Sequence, residues 1–191
     1  MNFLAHLWLA DRSSTSLAGS ILGDVVRGAD LSTYPDEIAH GIRLHRRVDA
    51  LTDRHPALHD ARASFGEGRR RYAGIVLDLV GDYVLSETWP RYSADALTAF
   101  HQRAGIAIEA ASPWFVQAGG RSSSAAGFAE LLGSYDTVAG IDRAIARTAR
   151  RLRDPAPMLA AAQDWQMQIP AVRAALPSLL DDLLRAMRNA P

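Results

Sequence analysis

The stretch "GIVLDLVGDYVLSETW", residues 74–89, decides the fold class. From Gly74 to Ser86 it is apolar or small except for two charges, Asp78 and Asp82. It is too long for an ordinary strand and carries no alternation of apolar and polar residues, so it reads as a buried helix that ends before Pro90. The two aspartates are four positions apart and therefore share one face of that helix. Placing two like charges side by side in apolar surroundings is costly, and the chemistry of the protein follows from how that cost is met.

The flanking sequence is helical in the same way. Residues 2 to 10 read as a short helix. Ser13 to Arg27 reads as a second, with Ser at its start and Gly28 past its end. Tyr34-Pro35-Asp36-Glu37 opens a third that runs to about Arg54, before the His55-Pro56 break. Further helices are expected over 56–64, 67–88 and 93–111, then near 128–134, 136–152, 156–166 and 170–189. Residues 117–127, "QAGGRSSSAAG", read as a flexible loop. No internal repeat appears. The expectation is an all-α, bundle-like single domain over residues 1–191.

Composition narrows the chemistry. With no Cys, disulfides, thiolate metal sites and cysteine nucleophiles are excluded. With no Lys, Schiff-base chemistry and a Walker A lysine are excluded. Net charge is zero, which argues against general nucleic-acid binding. No apolar run reaches the roughly 18 residues of a membrane span. The opening "MNFLAHLWLADR" lacks a basic leader region and a small-residue cleavage site, so a cytoplasmic location is expected.

At about 100° per residue, Ile38 and Ile42 define the core stripe of the third helix. His45, Asp49 and Asp53 fall on that stripe, while Arg43, Arg47 and Arg54 lie opposite. On the second helix Leu17, Ile21 and Asp24 share a face. Three helices thus send acids toward apolar surroundings, the reverse of ordinary amphipathicity. The cost is met by pairing with Arg, by raised pKa values, or by a cation among the acids. Since the arginines mostly point away, the expected answer is a divalent metal between helices. Aspartates with imidazole suit Mn²⁺, Mg²⁺ or Fe²⁺.

Each residue also has a structural reading. Asp78 and Asp82 can cap neighbouring helix ends or pair with Arg. Asp24 can bond a small-residue helix contact near Gly19 and Gly23. His6 and His45 can be satisfied core histidines, and Asp53, near a helix end, can be solvated. Taken together on several helices, the group favours metal more than any member does. His59-Asp60, an HD dipeptide like that of metal phosphohydrolases, sits in a short polar helix and reads as surface.

These stretches, "MNFLAHLWLA", "GSILGDVVRG", "GIRLHRRVDALTDRHP" and "RRRYAGIVLDLVGDYVL" with Trp89, resemble the acyl carrier protein phosphodiesterase family in order and spacing over residues 1–90. The resemblance implies removal of 4′-phosphopantetheine from holo-acyl carrier protein (holo-ACP), a divalent metal, preferably manganese, and a fold like that of HD phosphohydrolases. It carries His6, Asp24, His45, Asp49, Asp78 and Asp82 over as metal-site residues. Two positions depart from the family pattern: Trp8 and Tyr83 stand where relatives often have His.

On this reading a carboxylate such as Asp82 or Asp53 accepts the proton of the attacking water, and Arg46 or Arg47 holds the phosphate. Were Asp24, Asp49, Asp53, Asp78 and Asp82 all sequestered, 16 acids would face 21 arginines outside, enough to steer an acidic carrier protein. Arg69, Arg70 and Arg71 are the best single patch for it. The Arg143–Arg153 cluster reads as a solvated helix face. A metal phosphohydrolase acting on another phosphoester or nucleotide, and a non-catalytic ACP-binding protein, are the competing expectations.

Overall fold

The structure is a computed structural model and describes residues 2–66 and 68–188. The expected helix start at 67 and end at 189 lie outside the described residues. Among those residues the chain is all helical, with no strand. No helix is long and apolar enough to cross a membrane.

The first helix, α1 (Phe3–Arg12), is buried continuously from Leu4 to Ala10. A short helix apolar on every side has no solvent face to present, so its neighbours surround it. They are α2 (Leu17–Leu22), α3 (Asp36–Thr52), α5 (Arg70–Glu87) and α11 (Ile169–Arg188). On α5, Val76, Val80 and Val84 recur at one-turn spacing and are fully buried. This is the helix expected from residues 74–89. α4 (Pro56–Ala63) packs between α5 and α11.

α2 is shorter than expected. Ser13 belongs to the end of α1, where its hydroxyl donates to the Leu9 carbonyl at 2.7 Å. Ser16 is the N-cap, accepting from the Gly19 N–H. The helix stops at Leu22, and the next residues turn tightly, with the Asp24 N–H bonded to the Ile21 carbonyl. Asp24 therefore sits in a turn, where its side chain is not bound to the helix face. α2 lies directly on α3 through two glycines: a Cβ on Gly19 would come within 2.6 Å of the Ile38 carbonyl oxygen, and one on Gly41 within 2.7 Å of the Gly19 Cα. Only residues without side chains permit that approach.

The later chain adds α6 (Leu97–Ala110), α7 (Ser112–Gln117), α8 (Ala125–Ser134), α9 (Val138–Ala149) and α10 (Ala156–Ala162). α6 begins later than expected because the Asp95 carbonyl accepts the Trp89 indole N–H at 2.8 Å instead of starting a helix. α7, opened by Pro113, occupies the end of the segment expected to lead into a loop. Core residues from both halves of the chain, Leu4 through Leu183, join one apolar cluster.

Candidate metal centre

The centre is built where α1, α3 and the turn after α2 meet. His45 and Asp49 lie one turn apart on α3, and His6 comes from α1. The His6 and His45 rings stack with centroids 4.0 Å apart and 18° between planes. Their Nε2 atoms converge on one carboxylate: His6 is 3.1 Å from Asp49 Oδ1, and His45 is 3.1 Å from Asp49 Oδ2. Asp24 Oδ1 stands 3.5 Å from His45 Nε2 at the outer edge.

The backbone fixes which nitrogen of His45 faces the acids. Its Nδ1 is 2.6 Å from the Ser20 carbonyl oxygen, which can only accept, so Nδ1 carries the proton. Nε2 is then turned to Asp49 and Asp24. Gly23 makes the space for this ring, since a Cβ there would lie 2.2 Å from His45 Cγ.

Electrostatics follow from the geometry. Burial lowers the pKa of His45, but the hydrogen bonds to Asp24 and Asp49 outweigh it and raise the imidazole to about 9. For His6, burial dominates the opposing bond to Asp49 and the group falls below its ordinary value. Burial would raise Asp49, yet the two imidazoles hold it well below the usual carboxylate range. The contacts thus favour the charged forms of His45 and Asp49 and the neutral form of His6.

The donor set fits a divalent cation. Among the described residues, His6, His45 and Asp49 each offer a ligand atom within 4.8 Å of the others. Two imidazole nitrogens and a carboxylate suit a borderline ion. A ligating imidazole whose other N–H is held by a backbone carbonyl, as His45 is by Ser20, matches the usual support of a metal-bound histidine.

The other sequence candidates have contacts of their own. Asp82 is fully buried and accepts from the N–H groups of Leu4 at 2.9 Å and Ala5 at 3.3 Å. It caps α1, whose own N-cap residue, Asn2, makes no side-chain cap bond. Burial pushes the Asp82 carboxyl up to about 7, against the pull of those two N–H groups, and the charge of Asp78 adds to the rise. Asp78 is half-buried one turn earlier on α5.

Asp53 is exposed, just past the end of α3, and pairs with Arg62 at 2.6 Å. Arg46 donates to the Val26 carbonyl at 3.1 Å, and Arg47 to the Ala186 carbonyl at 2.9 Å. Arg69, Arg70 and Arg71 are all exposed. His59 and Asp60 are solvated, as expected. With Asp24 and Asp53 more than half exposed, sequestration of five acids does not hold, and any cationic steering comes from local patches.

Neither departure position is spare. The Trp8 indole donates to the Tyr92 carbonyl at 3.1 Å, and the Tyr83 hydroxyl donates to Glu87 at 3.2 Å. The cluster forms without them.

Comparison with known proteins gives the family. The sequence model described as acyl carrier protein phosphodiesterase matches residues 1–183. The chain belongs to the acyl carrier protein phosphodiesterase family. Relatives from Salmonella agona (strain SL483) and Salmonella newport (strain SL254), each named acyl carrier protein phosphodiesterase, are 41% identical over 121 residues. That stretch covers 61% of this chain and 63% of each relative, so the match spans less than two thirds of their length. No solved structure matches the chain with significance. Within the family, the match extends past residue 90 and takes in the later helices, where the sequence reading found only general helical character.

Proposed function

We propose that this chain hydrolyses the phosphodiester joining 4′-phosphopantetheine to a serine of acyl carrier protein, acting as one helical domain. The convergence of His6 and His45 Nε2 on Asp49 is the observation that carries this reading. Membership of the family supports the substrate. The all-helical architecture, with His6 on α1 and His45 and Asp49 on α3, supports a fold like that of HD phosphohydrolases.

His6, His45 and Asp49 would hold a divalent ion, manganese being the best candidate, with Asp24 at its open side. When bound, such an ion supplies positive charge to the phosphoryl oxygens and lowers the pKa of water. The protein's own residues do the rest. Asp49 and the Ser20 carbonyl orient the imidazoles. Asp24, half exposed beside His45, is placed to accept a proton from water at the phosphorus. Asp82 holds the start of α1, and so sets the position of His6. Water adds to phosphorus, the bond to the carrier serine oxygen breaks, and that oxygen leaves with a proton as apo-ACP forms.

The test is incubation with holo-ACP, with and without Mn²⁺, followed by mass spectrometry of the carrier protein. Loss of the prosthetic-group mass only with metal is the expected result. An unchanged carrier, with turnover of other phosphodiesters, would instead assign the centre to another substrate.

A further inference from the structure

Asp24 has two settings. One oxygen approaches His45, and the same side chain lines a groove of about 840 Å³. The groove therefore shares Asp24 with the candidate metal centre. Its floor is apolar, with Phe3, Leu79, Ile108 and Phe128. The later half of the chain lines it with Arg121, Ser122 and Ser123 from the loop before α8, Arg147 and Thr148 on α9, and Arg151 just past it.

Arg147 is fixed in place. Its Nη2 donates to the Tyr135 hydroxyl at 2.7 Å, and its guanidinium lies 5.9 Å from the centroid of that ring. Tyr135 is itself buried and packs against Phe3, with ring centroids 6.1 Å apart. Arg147 makes no ion pair with a carboxylate among the described residues. A half-buried guanidinium, held rigidly by a neutral partner and facing a groove, has donors to spare for an anion.

We propose that this groove is the subsite for the substrate's prosthetic arm, with Arg147 donating to a non-bridging phosphoryl oxygen. The assignment rests on the phosphodiesterase reading above and adds where the arm lies. The arm carries a single charged group, the phosphate, then a dimethyl carbon, two amides and a thiol. Arg147, with the exposed Arg121 and Arg151 also on the lining, an apolar floor, and hydroxyls from Ser122, Ser123 and Thr148 offer partners for these groups. Because Asp24 belongs to both, the arm would lie between the groove and the candidate centre.

The experiment is calorimetric titration of the full chain, without carrier protein, using 4′-phosphopantetheine, pantetheine lacking the phosphate, and inorganic phosphate. The parent should bind 4′-phosphopantetheine at least tenfold more tightly than either fragment. Arg147→Gln should erase the preference for the phosphorylated arm. Ser122→Trp, a substitution on an exposed loop, should obstruct the groove and weaken both pantetheine compounds at least tenfold. Three results would each overturn the assignment: no binding of the arm by the parent, inorganic phosphate binding as tightly as the whole arm, or both variants binding like the parent. Cleavage of holo-ACP is scored separately. A parent that cleaves holo-ACP while its variants bind the arm normally loses the groove and keeps the activity. A parent that shows the predicted binding pattern yet cleaves nothing keeps the groove and loses the activity.

Discussion

Replacing Gly23 with alanine puts a carbon where the His45 ring now lies. The added Cβ would be 2.2 Å from His45 Cγ and 2.4 Å from Cβ and Cδ2. Ordinary carbon contacts lie at about 3.5–4.0 Å, so the ring must retreat by roughly 1.5 Å. It cannot do so freely. Its Nδ1 is tied to the Ser20 carbonyl at 2.6 Å and its face to His6 at 4.0 Å. Overpacking of this kind costs about 1–3 kcal/mol. For a chain of this size each kcal/mol lowers Tm by about 2–4 °C, which gives a fall of roughly 2–12 °C.

The functional loss should be larger. Metal-ligand distances tolerate only about 0.2 Å, and a misplacement of about 1 Å at a reacting centre costs on the order of 100-fold. Gly23→Ala should therefore lose most of the Mn²⁺-induced rise in Tm and about 100-fold in holo-ACP turnover. Gly81→Ala is the control, because a Cβ at Gly81 meets nothing within 4 Å. Alanine there gains about 1 kcal/mol of helix propensity, so its melting temperature should hold or rise. Melting curves with and without Mn²⁺ decide the matter. If Gly23→Ala melts like the parent and keeps its metal response, the packing of His45 described here is wrong.

Asp82→Ala leaves the buried Leu4 and Ala5 N–H groups without their acceptor and should cost about 2–4 kcal/mol by chemical denaturation. Asp82→Asn keeps one accepting oxygen and should cost less while preserving the Mn²⁺ response; loss of that response with unchanged metal-free stability would make Asp82 a ligand instead of an anchor. The metal-free protein should lose stability as pH rises from 6.5 toward 9, because the raised His45 pKa stabilises the fold fully below 6.5 and not above about 9. His6, lowered by burial, acts in the other direction below 6.5, but Asp82, raised to about 7, offsets it there, so the clear pH-dependent loss is the one between 6.5 and 9. A flat metal-free pH profile of Tm would contradict the His45–Asp49 geometry. Changing Arg69, Arg70 and Arg71 together to Glu should slow holo-ACP turnover most at low salt, since exposed charges are screened beyond about 10 Å at 0.1 M. Unchanged low-salt kinetics would move carrier docking to another face.

What the sequence made legible is what depends on local periodicity. The stripe of Ile38, Ile42, His45 and Asp49 is a property of one helix, and the structure keeps its first three residues buried and Asp49 half-buried. The same extrapolation overreached at Asp53: its backbone is still helical, but at the end of α3 its carboxylate is exposed and pairs with Arg62. Asp24 was placed on a helix face for a similar reason. The turn after Leu22 depends on α2 reaching α3, and that contact is tertiary. Arg147 read as part of a solvated face because nothing in its own helix announces that Tyr135 and the loop at 120–123 enclose it.

The two aspartates of α5 show why a buried acid is ambiguous in sequence and not in structure. A carboxylate in an apolar helix must find positive charge, and a metal ion is only one supply. The N-terminus of a second helix is another, with unpaired N–H groups and the positive end of the macrodipole. Asp82 uses that second supply, bonding Leu4 and Ala5 on α1. Ala5 directly precedes His6, so the carboxylate that sequence patterning marks as a ligand candidate acts one residue away from an imidazole of the candidate centre. The anchor also explains how α1 is held without a cap from Asn2. A charge on α5 fixes the register of α1, α1 fixes His6, and His6 with His45 brackets Asp49. The acids thus divide the work by depth: the fully buried one holds a helix, and the half-exposed ones, Asp49 and Asp24, face the two imidazoles of the candidate centre.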